Sequence, residues 1–329
     1  MTTFPEPEPL STGTPQQIDE QALLDDVATQ VDDLEAVLDL GPLDHPKRLL
    51  LVHAHPDDEA VATGATMATY AAGGALVVLV TCTRGELGEI VDPALADLAS
   101  TGPDDDRLGE HRLQELAAAI EALGIAEHRF LGGPGRWRDS GMAGEPSNND
   151  PRCFWRADLA EATRELVGVI REFRPQVVIT YDDNGLYGHP DHVQAHRVTV
   201  AALAAAGDPA YTPDRGEPWE VAKLYETAIP ASVLQDAVEA GMVDSLEGLP
   251  PGSSDDQIAA VIDGTEQLAA KLAAMRAHKS QIDLTDGFWK NLSQSPGFGR
   301  EHYRLASGQR TPGDGPNGWE TDLFAGLER

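Results

Sequence analysis

Two short stretches concentrate the groups able to do chemistry. His53-Ala54-His55-Pro56-Asp57-Asp58-Glu59 holds two imidazoles and three carboxylates. Asp182-Asp183-Asn184-Gly185-Leu186-Tyr187-Gly188-His189-Pro190-Asp191-His192 repeats its His-Pro-Asp core. A nitrogen and a carboxylate oxygen three residues apart around a turn, on His55 and Asp58, can aim at one point, which suggests a metal ion. His192 takes the place in the second stretch that Asp58 takes in the first. The two turns can therefore supply His55, Asp58 and His192 to one ion. Three protein ligands leave a position open for water, the pattern of a catalytic site. A metal held that way lowers the pKa of water and polarises a carbonyl, so the chemistry is hydrolysis. Hydrolysis also needs a base and a proton donor. Asp57 adjoins a ligand without being spent on the ion and is the candidate base. His189, on the opposite turn, can stabilise an oxyanion or protonate a leaving amine. Tyr187 can reach the same oxyanion, and Asp191 can orient one of the histidines. His53 reads as a structural residue at a strand end. His111, His278 and His302 carry no motif and receive no role.

Both stretches follow apolar runs, Leu49–Val52 and Val177–Thr180, that read as strands buried on both faces. Each is followed by a helical pattern, Ala60–Ala72 and Val193–Ala206, with Pro56 and Pro190 suited to the first helical position. Further strands are predicted over Ala75–Thr81 and Arg129–Leu131, with helices over Leu108–Leu123 and Asp158–Phe173. Such alternation predicts an α/β fold, a Rossmann-like, mostly parallel sheet with helices on both faces in strand order 3-2-1-4. In that order the strands bearing the two motifs are neighbours at the topological switch point, where ligands bind. The polar loop Gly132–Asp150 is long enough to be functional. From Pro218 onward the pattern loosens into strands over Lys223–Pro230 and Ile258–Val261 and a helix over Thr265–Ser280. These form a smaller C-terminal α/β layer. The expected organisation is an acidic N-terminal extension (1–45) with an amphipathic helix over Ile18–Leu40, a Rossmann-like metal-binding catalytic domain (46–217), and a smaller C-terminal region (218–329) covering the cleft. Without Gly-x-Gly-x-x-Gly, a non-catalytic nucleotide-binding module is the weaker alternative.

The net charge of −31 comes from 55 acids against 24 bases, and 11 of those acids lie in residues 1–46, which contain no Lys or Arg. A surface so acidic repels phosphate backbones, which argues against nucleic acid as a partner. Two cysteines are too few for a disulfide framework. No segment reaches the ~18 apolar residues of a membrane span, and the N-terminus lacks the basic region of a secretory signal. The expectation is a cytoplasmic enzyme with no membrane partner. Its oligomeric state is not legible.

The paired motifs, with Thr81-Cys82-Thr83-Arg84-Gly85-Glu86, Gly135–Met142 and Gly318-Trp319-Glu320-Thr321-Asp322, resemble the LmbE/PIG-L-type zinc-dependent N-deacetylases of sugar conjugates. The likeness covers about 46–326. It implies one zinc per chain (ferrous iron suits the same donors), with His55, Asp58 and His192 as ligands and Asp57 as general base. It implies His189 and Tyr187 as transition-state groups supported by Asp191, and Arg112 and Asp139 as contacts to sugar or inositol hydroxyls. Within the family the chain is similar to the mycothiol-biosynthesis deacetylases, which remove acetate from N-acetylglucosaminyl-inositol, a small-molecule substrate. It is less similar to the mycothiol S-conjugate amidases, which carry a Lys just after Asp-Asp-Glu and a Pro before His-Pro-Asp-His. Here those places hold Ala60-Val61-Ala62 and Gly188.

Overall fold

The computed structural model describes residues 46–327 except positions 103, 244, 248 and 296. The acidic extension and the helix expected over Ile18–Leu40 lie outside the described residues.

β1 (Arg48–His53) and β2 (Leu76–Thr81) are buried along their whole length. Consecutive residues alternate between two cores. Leu49, Leu51 and Val77 join one cluster, and Leu50, Val52 and Val78 join the other. An unbroken apolar run is what a strand covered on both faces requires. β3 (Glu127–Phe130), β4 (Val177–Thr180) and β5 (Lys223–Ala228) complete the parallel part. With β6 (Ala260–Asp263) and β7 (Arg300–Ser307) the order is β3-β2-β1-β4-β5-β7-β6. The predicted order 3-2-1-4 and the adjacency of the two motif strands are observed. β7 runs antiparallel to both β5 and β6. It is not predicted from the sequence, because its two buried residues are Glu301 and Tyr303 and no apolar run marks it.

The helices cover both faces. α1 (Asp58–Ala62) and α2 (Gly64–Ala72) replace the single helix predicted over Ala60–Ala72; Thr63, at φ −138 and ψ 8, breaks it. α3 (Arg107–Leu123), α4 (Leu159–Phe173), α5 (Pro190–Ala206), α6 (Ala231–Glu239), α7 (Leu268–Ala277) and α8 (Gly287–Ser293) follow. Met67, Leu116 and Met275, from α2, α3 and α7, pack into the first core. Leu166 and Val198, from α4 and α5, pack into the second. No described helix is long and apolar enough to cross a membrane.

Buried charges tie the later part of the chain to the earlier. The Glu301 carboxylate accepts the Ala65 and Thr66 N–H groups at 2.9 and 2.7 Å, capping α2, and pairs with Lys271 Nζ at 2.7 Å. Glu320 accepts from Lys223 Nζ at 2.7 Å and from the Tyr225 hydroxyl at 2.6 Å. Each buried charge thus has the partners that burial demands.

Candidate metal-binding active site

β1 and β4 pair with Leu49 opposite Val177 and Leu51 opposite Ile179. Both chains therefore leave the sheet side by side at its carboxyl edge. The two His-Pro-Asp turns that follow do not fold alike. In the second, Pro190 opens α5 as predicted, and the side chain of His189 accepts the Asp191 N–H at 3.2 Å, capping the helix. In the first, the helix begins only at Asp58, so Pro56 does not hold the helical position expected of it. Asp57 intervenes at φ 124 and ψ −33, a conformation that costs about 1–3 kcal/mol in a non-glycine residue. Arg112, on α3 and 2% exposed, accounts for much of this. Its guanidinium donates to the Pro56 carbonyl, to Asp57 Oδ2 at 2.9 Å and to the Gly85 carbonyl at 2.8 Å. A Cβ at Gly85 would meet Arg112 Nη1 at 2.1 Å, so that seat requires glycine.

The three expected donors meet at one point. His55 Nδ1 is 3.3 Å from Asp58 Oδ2, His192 Nε2 is 3.4 Å from Asp58 Oδ1, and the two ring nitrogens are 3.4 Å apart. Ligands of a tetrahedral ion with bonds of about 2.0–2.1 Å stand about 3.3–3.4 Å from one another. The two ring nitrogens thus stand at such an edge length, the Asp58 carboxylate meets them through different oxygens, Oδ2 toward His55 and Oδ1 toward His192, and the donor types suit zinc or iron. On the far side of the His55 ring, Nε2 is 3.2 Å from Asp191 Oδ2 and 3.6 Å from Asp139 Oδ1. Carboxylates there keep the proton on Nε2 and turn the Nδ1 lone pair toward an ion. Asp191 is held in turn by the Ser140 N–H at 2.9 Å and by the Ser140 hydroxyl. Asp139 accepts the Gly141 and Leu87 N–H groups at 2.8 and 3.2 Å. The loop 132–150 therefore reaches the centre through Asp139 and Ser140. Its Trp137 is buried, with its ring 5.6 Å from that of Phe154, and serves packing.

The remaining expected residues gather around this point. Burial pushes the Asp57 carboxyl up to about 6, against the pull of Arg112. Burial and the neighbouring His55 and His192 lower His189 to about 3, so its ring is neutral. Because His189 Nδ1 accepts the Asp191 N–H, the neutral ring carries its proton on Nε2 and is a donor there. Nitrogens of His55, His189 and His192 lie within 4.8 Å of one another. Tyr187 is half-exposed, its ring 5.0 Å from that of His192. The turn carrying it needs Gly185 at φ 64, where a Cβ would come within 2.6 Å of His192 Cβ. A cavity of about 620 Å³ opens beside Asp139, lined among others by Ser100, Arg138, Ser147 and Asn149.

Two residues at the site were not singled out from the sequence. Ser140 is one. Tyr181 is the other, with its hydroxyl accepting the Ala54 N–H and donating to Asp58 Oδ2, both at 2.8 Å. A tyrosine ending a buried apolar strand needs a polar partner for its hydroxyl, and that signal precedes the second motif directly.

Residues 50–203 match the family model of the GlcNAc-PI de-N-acetylases, PIG-L. A 1D-myo-inositol 2-acetamido-2-deoxy-alpha-D-glucopyranoside deacetylase from Geodermatophilus obscurus is 53% identical over 294 residues, which cover 85% of this chain and 98% of that protein. The chain belongs to the PIG-L de-N-acetylase family. A deacetylase of the same name from Salinispora arenicola is 54% identical over 293 residues, covering 85% of this chain and 92% of that protein. This de-N-acetylase is accordingly an amide-hydrolysing enzyme. Its fold is shared with the N,N'-diacetylchitobiose deacetylase of Pyrococcus horikoshii, at a TM-score of 0.55 and 18% identity over 88% of this chain and 93% of that one. It is shared equally with a 4-carboxy-2-hydroxymuconate hydratase from Pseudomonas putida, at a TM-score of 0.55 and 20% identity over 80% and 98%. Fold alone does not separate deacetylation from hydration, and the chemistry rests on the residues at the sheet edge.

Proposed function

We propose that this de-N-acetylase hydrolyses the acetamido group of 1D-myo-inositol 2-acetamido-2-deoxy-alpha-D-glucopyranoside to the free amine and acetate, the deacetylation step of mycothiol biosynthesis, with one zinc ion per chain. The observation that carries the chemistry is the 3.3–3.4 Å spacing of His55 Nδ1, the Asp58 carboxylate and His192 Nε2. The names of relatives at 53–54% identity supply the substrate. Bound by these three residues, zinc would supply Lewis-acid polarisation of the acetyl carbonyl and of a water. Asp57 takes the proton of the attacking water; its raised pKa brings the carboxylate's basicity nearer to neutral pH. Arg112 fixes the oxygen that Asp57 presents. His189 donates a hydrogen bond from its Nε2–H to the developing oxyanion, and the proton that Asp57 has taken from water passes on to the departing amine. Asp191 holds His55, and through its own N–H the tautomer of His189. Tyr187, at the rim, can donate to the same oxygen. Asp139 and the cavity beside it offer hydroxyl, amide and guanidinium groups suited to a neutral polyol.

A specific feature favours the deacetylase over the S-conjugate amidase. Gly188 stands at φ 90, whereas the proline found there in the amidases is locked near φ −65°. The test is amine release by the zinc-loaded enzyme from the N-acetylglucosaminyl-inositol substrate and, in parallel, from a mycothiol S-conjugate. Turnover confined to the first supports the proposal. Preference for the second overturns it and makes the protein an amidase.

A further inference from the structure

His278 carries no motif, and the mechanism above does not use it. It lies at the end of α7, fully buried, with Nε2 2.6 Å from Glu59 Oε1. Glu59 is fully buried too, and its other oxygen, Oε2, accepts the Asp57 N–H at 2.9 Å. The chain His278–Glu59–Asp57 thus ends on the one peptide of the site whose residue is held at φ 124. A strained conformation persists only where its surroundings over-determine it. Here the grip comes from two sides. Arg112 holds the Asp57 side chain and the preceding carbonyl. Glu59 holds the Asp57 N–H, and His278 holds Glu59.

We propose that His278 is a positioning residue for Asp57: through Glu59 it fixes the peptide that aims the Asp57 carboxylate at the attacking water. A buried histidine–glutamate pair serving packing alone would spend both carboxylate oxygens within the core. This one spends Oε2 on the catalytic turn. The Nδ1 atom of His278 has no hydrogen-bond partner among the described residues, so its contact with Glu59 is what its burial serves. The Glu59 carboxylate also outweighs burial and raises the pKa of the imidazole, which favours donation to Glu59.

The inference rests on Asp57 being the base, and the experiment separates the two. Four purified, zinc-loaded proteins are compared on the N-acetylglucosaminyl-inositol substrate: wild type, Asp57→Ala, His278→Leu and His278→Gln. His278→Leu is expected to lower kcat at least tenfold while KM and zinc stoichiometry stay within twofold of wild type. His278→Gln keeps an N–H donor toward Glu59 and is expected to recover most of that loss. If Asp57→Ala remains active, the assignment of the base has failed. If Asp57→Ala is inactive but folded His278→Leu retains wild-type kcat, the positioning proposal is overturned. Equal losses in the Leu and Gln variants, or a loss confined to KM or zinc content, overturn it as well. Should His278→Leu not fold, His278→Asn replaces it; its shorter side chain cannot span to Glu59, so undiminished kcat there counts against the proposal.

Discussion

The phenol ring of Tyr181 lies nearly parallel to the imidazole of His192, with centroids 4.0 Å apart and planes 18° apart, while its hydroxyl donates to Asp58 at 2.8 Å. One side chain therefore braces two of the three proposed metal ligands, one by stacking and the other by hydrogen bonding. Removing the hydroxyl frees Asp58 but leaves the stack. Tyr181→Phe is expected to weaken zinc binding about 10- to 100-fold, the usual cost of losing a hydrogen bond to a ligand. Competition with a chromophoric chelator measures this directly, and an unchanged zinc affinity would remove Tyr181 from the account.

Asp57 makes the opposite prediction. It is not among the proposed ligands, so Asp57→Ala should keep a full complement of zinc. Loss of a positioned base lowers kcat by about 10²- to 10⁴-fold. Metal analysis and steady-state rates on the same preparation check both halves. Substantial residual turnover would show that another group accepts the proton.

Stability is expected to depend on a charge far from the chemistry. Glu320 is fully buried between Lys223 and the Tyr225 hydroxyl. Truncating one member of a buried pair strands the other, a loss of about 3–5 kcal/mol. Glu320→Ala should show it as a lowered denaturation midpoint. Lys223→Met combined with Glu320→Leu removes both charges and should recover part of the loss. Equal midpoints for Glu320→Ala and wild type would contradict the burial of this pair.

Acid should weaken the fold in part through Asp322. Its carboxylate accepts from Lys47 Nζ at 2.7 Å and from the Tyr70 hydroxyl at 2.9 Å. Burial opposes ionisation, but Lys47 and the backbone of Phe324 outweigh it and lower the pKa. A depressed carboxyl stabilises the fold above its unfolded pKa of about 3.9 and loses that contribution as pH falls through the lower folded value. Asp322→Asn lacks it at every pH. The stability difference between wild type and variant should therefore be full at pH 6 and shrink below about pH 4. A difference that stays constant down to the acid limit would rule out the linkage.

Much of the site is legible in the amino-acid sequence. His55, Asp58 and His192 are marked because two strand ends carry the same unusual cluster of ionisable residues, and buried parallel strands announce themselves as unbroken apolar runs. The order of the first four strands follows from the same alternation. What escapes is whatever works through partners distant in sequence. Tyr181 and Ser140 look ordinary until the fold sets them against Asp58 and Asp191. Arg112 is marked only by the family resemblance, as a contact to substrate hydroxyls, yet its guanidinium is buried and donates to Pro56, Asp57 and Gly85. β7 is hidden because its inward residues include a glutamate that caps α2, where a hydrophobic pattern would look for an apolar side chain. The first His-Pro-Asp turn looks like a copy of the second, but the pull of Arg112 on its backbone gives it a different shape.

The distances along the chain over which these ties are made have a consequence for synthesis. Glu59 finds its imidazole 219 residues later, Ala65 its helix cap 236 residues later, and Tyr70 its carboxylate partner 252 residues later. A ribosome delivers the first ligand-bearing turn early and the imidazole partner of its Glu59 much later. The nascent enzyme thus carries Glu59 without its partner until the end of α7 has docked, and the first amides of α2 without theirs until β7 has. A translation product that stops before His278 should accordingly lack the catalytic turn in its working shape.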